Sequence, residues 1–164
     1  MNNVANKEIK AYLALVQAIR KSVEDLLGTL AGKRTLSSEL ESIWNQIVEN
    51  KIPARWLLYS YSTTHTSLAA YLVDLSAKLE FWQNLASTET NFDLVPSFWL
   101  PAFFFPEALL DSQARKLARA EQAPFLDLSQ AFEVQTFFEA DGPCEEKNSI
   151  FVHGLWLEGA AWDL

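Results

Sequence analysis

Residues Ser97–Pro106 read SFWLPAFFFP. Five of these ten side chains are aromatic, two are proline and none is charged. Proline lacks the backbone N–H and clashes with the preceding turn, so the run cannot be one long helix. A bilayer crossing needs about 20 residues, which this run does not supply. It is therefore a buried crossing inside a core or a surface for docking. Its neighbours favour the first. An amphipathic pattern precedes it and another follows, with Pro106 at the favoured first position of the second helix. The expectation is that these aromatics fix how the two helices meet.

Downstream, Glu107 suits the positive end of a helix that runs to about Gln122 and stops before Pro124. This helix is less apolar than the others. It carries Arg115, Lys116 and Arg119, a basic face in a chain of net charge −8. Beyond Pro124 the period changes. Phe132, Val134, Thr136 and Phe138 alternate with Glu133, Gln135 and Phe137, which predicts a strand. Asp141-Gly142-Pro143 signals a turn, and Ile150–Leu157 reads as a second strand, so an antiparallel hairpin is expected.

Upstream there are three helical patterns. Ile9, Tyr12, Leu13, Val16, Ile19, Val23, Leu26, Leu27 and Leu30 form one apolar stripe, with Gly28 and Gly32 loosening its end. A second helix opens at Ser37-Ser38, where Ser38 and Glu41 have the spacing of a capping box. Leu40, Ile43, Trp44, Ile47 and Val48 are its expected buried face. Pro53 then starts a short turn carrying Trp56 and Leu57. Ser60–Thr66 is rich in hydroxyls and reads as loop. A third long helix follows, capped by Thr66 or Ser67, with Leu68, Tyr71, Leu72, Leu75, Leu79, Trp82 and Leu85 as its stripe. Asp74 and Lys78 are an i,i+4 pair expected on its solvent face.

The fold class is thus α+β, predominantly α-helical: a helical pack over residues 1–125, then a β region over 126–164. Two strands alone are marginal in water. Either the hairpin packs on the helices, or the sheet is the opening of a domain cut short.

At 164 residues the chain fits one domain. Half the residues are apolar, so a packed core is expected rather than disorder. The acidic balance argues against a nucleic-acid partner and against anionic membranes. The single cysteine, Cys144, excludes an internal disulfide and fits a reducing compartment; glutamates beside it disfavour a thiolate. No secretory signal is legible at the N-terminus, and no apolar window is long enough to span a membrane.

Chemistry-bearing patterns are scarce. His65 and His153 lie far apart in sequence, and with Cys144 they make no local zinc set. His153, before Gly154, reads as a hydrogen-bonded structural histidine, and His65 as part of a solvated loop. No Gly-x-Ser-x-Gly elbow and no phosphate-cradling glycine series occurs. Glu139, Asp141, Glu145 and Glu146 lack the spacing of a calcium loop. No catalytic residue, metal ligand or cofactor site is predicted.

Four blocks in order resemble one family. SSELESIWNQIVENKIPARW (Ser37–Trp56) is similar to the opening of the C-terminal domain of dynein heavy chains, with its Ser-Ser-Glu-Leu-Glu helix, Lys-Ile-Pro step and tryptophan. SLAAYLVDLSAKLEFWQNL resembles the next helix of that domain. FWLPAFFFPEALL resembles its Phe-Trp-Leu and Phe-Phe-Phe-Pro elements. IFVHGLWLEGAAWD (Ile150–Asp163) resembles its near-terminal Gly-Leu, Leu-Glu-Gly and Trp-Asp signature. The triple-Phe-Pro form is closer to axonemal heavy chains. The resemblance implies a non-catalytic part of a microtubule-based ATP-driven motor of the cilium or flagellum axoneme. Its partners would be the AAA+ modules of the same heavy chain, with other dynein subunits as further candidates and the microtubule reached only through the parent motor's stalk. Those modules hydrolyse ATP outside this segment. It also implies further strands completing a small β barrel, so the chain is expected to be a fragment of that domain. The first helix and the basic face of Arg115, Lys116 and Arg119 are the expected docking surfaces. The alternative is a free-standing helical module that binds a protein or an apolar ligand.

Overall fold

A computed structural model describes residues 2–87, 97–122, 124 and 152–154. The chain divides into two compact units, Asn2–Leu85 and Ala86–Leu164.

The first unit is helical. Helix α1 spans Asn2–Leu30, α2 Ser38–Val48, α3 Ala54–Leu57, and α4 begins at Leu68 and ends at Ser87. Tyr12, Leu15 and Leu26 of α1, Ile43 of α2, Trp56 of α3, Tyr61, and Leu68, Tyr71, Leu75 and Trp82 of α4 are buried. Helix α1 starts earlier than its apolar stripe implies, because the polar residues before Ile9 extend it by full turns. Its buried face is also rotated from the expected one. Leu15 is fully buried, with Glu8 and Ser22 beside it, whereas Leu13, Val23, Leu27 and Leu30 are exposed. The apolar stripe is wider than the surface its own unit covers.

Helix ends are closed by side chains and by left-handed residues. Gly32 (φ +71°) ends α1 with a Schellman pair, Lys33 N–H to Gly28 C=O at 2.9 Å and Gly32 N–H to Thr29 C=O at 2.9 Å. Ser37, not Ser38, caps α2: its Oγ accepts from Leu40 N–H at 3.2 Å. The third helical residue is then Leu40, so no capping-box glutamate is available. Trp44 and Val48 are exposed, and Ile43 carries the buried face.

Asn50 ends α2 at φ +54°, with Lys51 N–H to Gln46 C=O at 2.8 Å and Asn50 N–H to Ile47 C=O at 3.0 Å. The same residue caps α4. Its carbonyl accepts from Leu68 N–H at 2.8 Å, and its side-chain oxygen accepts from Ala69 N–H at 3.1 Å. Ser67 adds the expected cap, accepting from Ala70 N–H at 3.3 Å. Gln46 Oε1 accepts from Ala54 N–H at 3.1 Å, so the last turn of α2 also seats α3. A Lys51–Ser67 antiparallel bridge closes the neck of the loop that carries α3.

The second unit is built on the aromatic run. Phe98–Trp99 is strand β1, Leu100–Ala102 a 3₁₀ turn, and Pro106–Glu121 helix α5. Phe98, Ala102 and Phe103 are buried, and the rings of Phe98 and Phe103 meet edge to face at 6.2 Å. The run is thus buried at Phe98, Ala102 and Phe103 and half-buried elsewhere, and Pro106 begins the helix, as expected. Gln122 (φ +52°) ends α5 just ahead of Pro124.

Of the expected hairpin, only part of the second strand lies within the described residues. Val152-His153 forms strand β2, and it pairs in parallel with β1, Phe98 opposite Val152 and Trp99 opposite His153. No hairpin or barrel occurs among the described residues. The aromatic run supplies an edge that a two-residue strand can use directly. The strand expected at 132–138 and the turn at 141–143 lie outside the described residues.

Candidate functional site

Within the first unit the polar side chains converge on Asp74, one turn before Lys78 on α4. Tyr61 Oη donates to Asp74 Oδ2 at 2.7 Å, and Lys78 Nζ reaches the same oxygen at 2.9 Å. His65 Nε2 stands 3.8 Å from it. The Lys78 ammonium also sits 3.5 Å from the centre of the Tyr61 ring, a cation–π contact. Tyr61 stacks on Tyr71 at 5.8 Å and meets Tyr12 at 6.4 Å, and Tyr12 meets Trp82 at 6.4 Å. Ser60 Oγ and Tyr71 Oη share a hydrogen bond of 2.8 Å.

The Asp74–Lys78 pair is therefore made, but not on a solvent face: Lys78 is 5% exposed. The sequence reading missed this because an i,i+4 ion pair looks the same on either face. The signal lay in α4's period, which places Lys78 between Leu75 and Trp82 on the buried row. Burial pushes the Lys78 ammonium below its ordinary range, and the hydrogen bond and charge of Asp74 oppose that shift. Burial pushes the Tyr61 and Tyr12 phenols far up; Asp74 adds to the first and Glu8 to the second. Burial also raises Tyr71. The Lys78 ammonium is thus buried under the Tyr61 ring and held by the Asp74 carboxylate.

A second feature is an open cleft of about 410 Å³ between α1, α2 and α3. Its charged lining is largely self-neutralised. Arg55 pairs with Glu39 at 3.3 Å, and Asp25 with Arg34 from beyond the lining. Lys21 and Tyr59 complete its polar wall.

In the second unit, Ser97 Oγ and His153 Nδ1 lie 2.6 Å apart beside the β1–β2 pairing. His153 is thus the hydrogen-bonded structural histidine expected. Gly154 follows at φ +80°, and a Cβ there would lie 2.7 Å from Trp99 Cδ1 and 2.9 Å from Pro101 Cδ. Only glycine fits this close approach of strand to indole.

Arg115, Lys116 and Arg119 are exposed on α5. Glu107, Asp111, Arg115 and Arg119 follow one another at four-residue steps. The row is acidic toward the helix start and basic toward its end, the order that complements a helix dipole. His65 lies exposed in the loop, as expected, and its ring stands beside Asp74. Cys144 and the acidic residues Glu139, Asp141, Glu145 and Glu146 lie outside the described residues. Among the described residues no helix is long and apolar enough to cross a membrane.

All of residues 1–164 match the family model for the C-terminal domain of dynein heavy chains. Relatives include dynein axonemal heavy chain 12 of Mus musculus, 32% identical over 99% of this chain and 5% of that protein. Dynein axonemal heavy chain 1 of Homo sapiens is 32% identical over 99% of this chain and 4% of its own length. Dynein axonemal heavy chain 3 of Mus musculus is likewise 32% identical, over 99% of this chain and 4% of that protein. The chain thus spans about one-twentieth of the length of these relatives.

Proposed function

This chain belongs to the family of dynein heavy-chain domains at the C-terminus of the motor, a region outside the ATPase modules, and from that premise we propose that it acts mechanically. In its heavy chain it packs against the ring of AAA+ modules and restrains their motion during the ATP cycle. The setting is the axoneme, where the motor moves on microtubules. A domain biases such a cycle only if it contacts one ring state better than another. A stiff body with wide uncovered faces suits that task.

The observation that carries this reading is the form of the polar network. Asp74, Lys78 and Tyr61 are engaged with each other, the Tyr61 ring lying over the ammonium, which supports a stiff helical unit. Arg115, Lys116 and Arg119 are one candidate contact with an acidic neighbour, and α1 is the other. The open cleft beside α1 favours a second reading, a helical module that binds a separate protein segment.

The test is ATP turnover by the purified domain. No nucleotide-saturable turnover and no ATP binding are expected. Turnover that saturates with ATP would overturn the non-catalytic reading.

A further inference from the structure

The cleft between α1, α2 and α3 joins apolar and charged lining. Ala14 and Ala18 of α1, with Leu40 and Ile43 of α2, supply the apolar part. The two alanines take up little space, and about 410 Å³ stays open, a volume typical of small-ligand sites. Tyr59 lines the same space with 40% of its surface exposed, and the Arg55 guanidinium lies 5.9 Å from its ring centre. The charges around the cleft do not cancel completely. Glu39 holds Arg55 at 3.3 Å, Asp25 holds Arg34, and Glu24 holds Arg20 at 2.7 Å. Lys21 stands three and four positions before Glu24 and Asp25, where either could have paired with it. With both engaged elsewhere, Lys21 is left exposed on the cleft wall, with no carboxylate of its own among the described residues. Gln17, one turn earlier on the same wall, adds an uncharged amide.

We propose that this cleft binds an amphipathic carboxylate: a single acid group on Lys21, carried by an apolar or aromatic body that lies along the alanines of α1 and against Tyr59. The inference goes beyond the mechanical reading and concerns a ligand of the domain itself. Charge selects the acid group. Lys21 is the cation that the cleft has to spare, so one carboxylate completes its pairing. A cationic ligand would have to displace Arg55 or Arg34 from its carboxylate, and a polyanion would find a free partner for one charge alone among the described residues. The remaining lining selects the body. Ala14, Ala18, Leu40 and Ile43 offer apolar surface, and Tyr59 an aromatic ring on which a second ring can stack. The same chemistry can arrive on a free small acid or on a glutamate flanked by apolar residues in another protein.

The experiment irradiates the full heavy chain with 4-benzoylphenylacetate, a photo-reactive aryl carboxylate, and in parallel with its neutral amide. Labelled peptides are mapped by mass spectrometry. The carboxylate should label the cleft walls, the stretch from Ala14 to Asp25 and that from Ser37 to Tyr59, about fivefold more than the amide does, the scale of an exposed ion pair. Lys21→Gln should lower this labelling to the level of the amide, and Lys21→Arg should retain it. Lys21 is exposed, so neither variant disturbs the packing. Unlabelled 4-phenylbutyrate should displace the reagent at a concentration where acetate, which has no apolar body, does not. A capped peptide with one glutamate between apolar residues separates the two sources: displacement at a lower concentration than 4-phenylbutyrate assigns the group to a protein segment, and the reverse order to a free small acid. Equal labelling by acid and amide, labelling unchanged in Lys21→Gln, displacement by neither competitor, or labelling confined to other parts of the heavy chain overturns the proposal.

Discussion

Asn50 does the work of two caps. It holds the left-handed conformation that ends α2, and its two oxygens take the first amides of α4, eighteen and nineteen positions on. Asparagine suits this place because its short amide tolerates φ > 0 and accepts a hydrogen bond. Asn50→Gly keeps the conformation and loses the side-chain acceptor, so it should cost about 1 kcal/mol. Asn50→Ala loses the acceptor and strains the backbone, and should cost about 2 kcal/mol or more. Urea unfolding of the two variants checks this order. Gly154 is a stricter case. At φ +80°, with Trp99 within 2.7 Å of any Cβ, Gly154→Ala must move the indole or the strand. A loss of about 2 kcal/mol or more is expected, together with a change in the Trp99 environment that near-ultraviolet circular dichroism would report. Neither residue's role was legible beforehand. The second partner of Asn50 is distant in sequence, and the close approach of Trp99 to Gly154 depends on a strand pairing that was not foreseen.

At the scale of elements, α4 shows how an ion pair can belong to a core. Removing one partner from a buried pair leaves an uncompensated charge, whereas replacing both partners by apolar groups of similar volume is often neutral. Asp74→Ala should therefore destabilise the unit by about 2–3 kcal/mol, less than a fully enclosed pair because Asp74 keeps some water contact. Lys78→Met strands the carboxylate instead, but Asp74 keeps the Tyr61 hydrogen bond and some water contact, so it should cost less than Asp74→Ala. Chemical denaturation of both variants tests the asymmetry; equal losses would refute it.

The helices were legible because their period and turn residues are local signals. Pro106 begins α5, Pro53 precedes α3, and Ser67 caps α4, all from the sequence's own punctuation. Which flank of α1 is buried was not legible. Its apolar stripe spans more than one face, and only the positions of α2, α3 and α4 decide that Leu15 goes in and Leu27 stays out. The parallel pairing of β1 with β2 was hidden for the same reason. Alternation marks Val152 as strand-like, but it does not say that Phe98 lies beside it.

For the molecule as a whole, the buried phenols set the alkaline limit of stability. Tyr12, Tyr61 and Tyr71 are raised above their ordinary value of 10.0 by burial. The unfolded protein therefore releases these protons first. Their contribution is fully present below about pH 10 and is lost as pH rises from there toward the folded values. Lys78 acts with the opposite sign. Its folded value is lowered, so unfolding binds a proton and stability rises with pH between that lowered value and 10.5. Three phenols outweigh one ammonium above pH 10. The expected urea midpoint is flat or slightly rising on the approach to that pH and falls steeply beyond it. Tyr61→Phe should soften the fall, which a pH series of unfolding curves would show.

The family places this domain in a motor whose ATPase modules lie elsewhere in the polypeptide. Its proposed work is restraint, carried by a stiff helical unit and by an apolar flank that its own unit leaves open. The most direct test compares ATP turnover and microtubule gliding by the heavy chain with and without residues 1–164. Restraint predicts that the shortened motor still binds and hydrolyses ATP but with altered turnover and altered movement per ATP hydrolysed. Unchanged turnover together with unchanged gliding would contradict it.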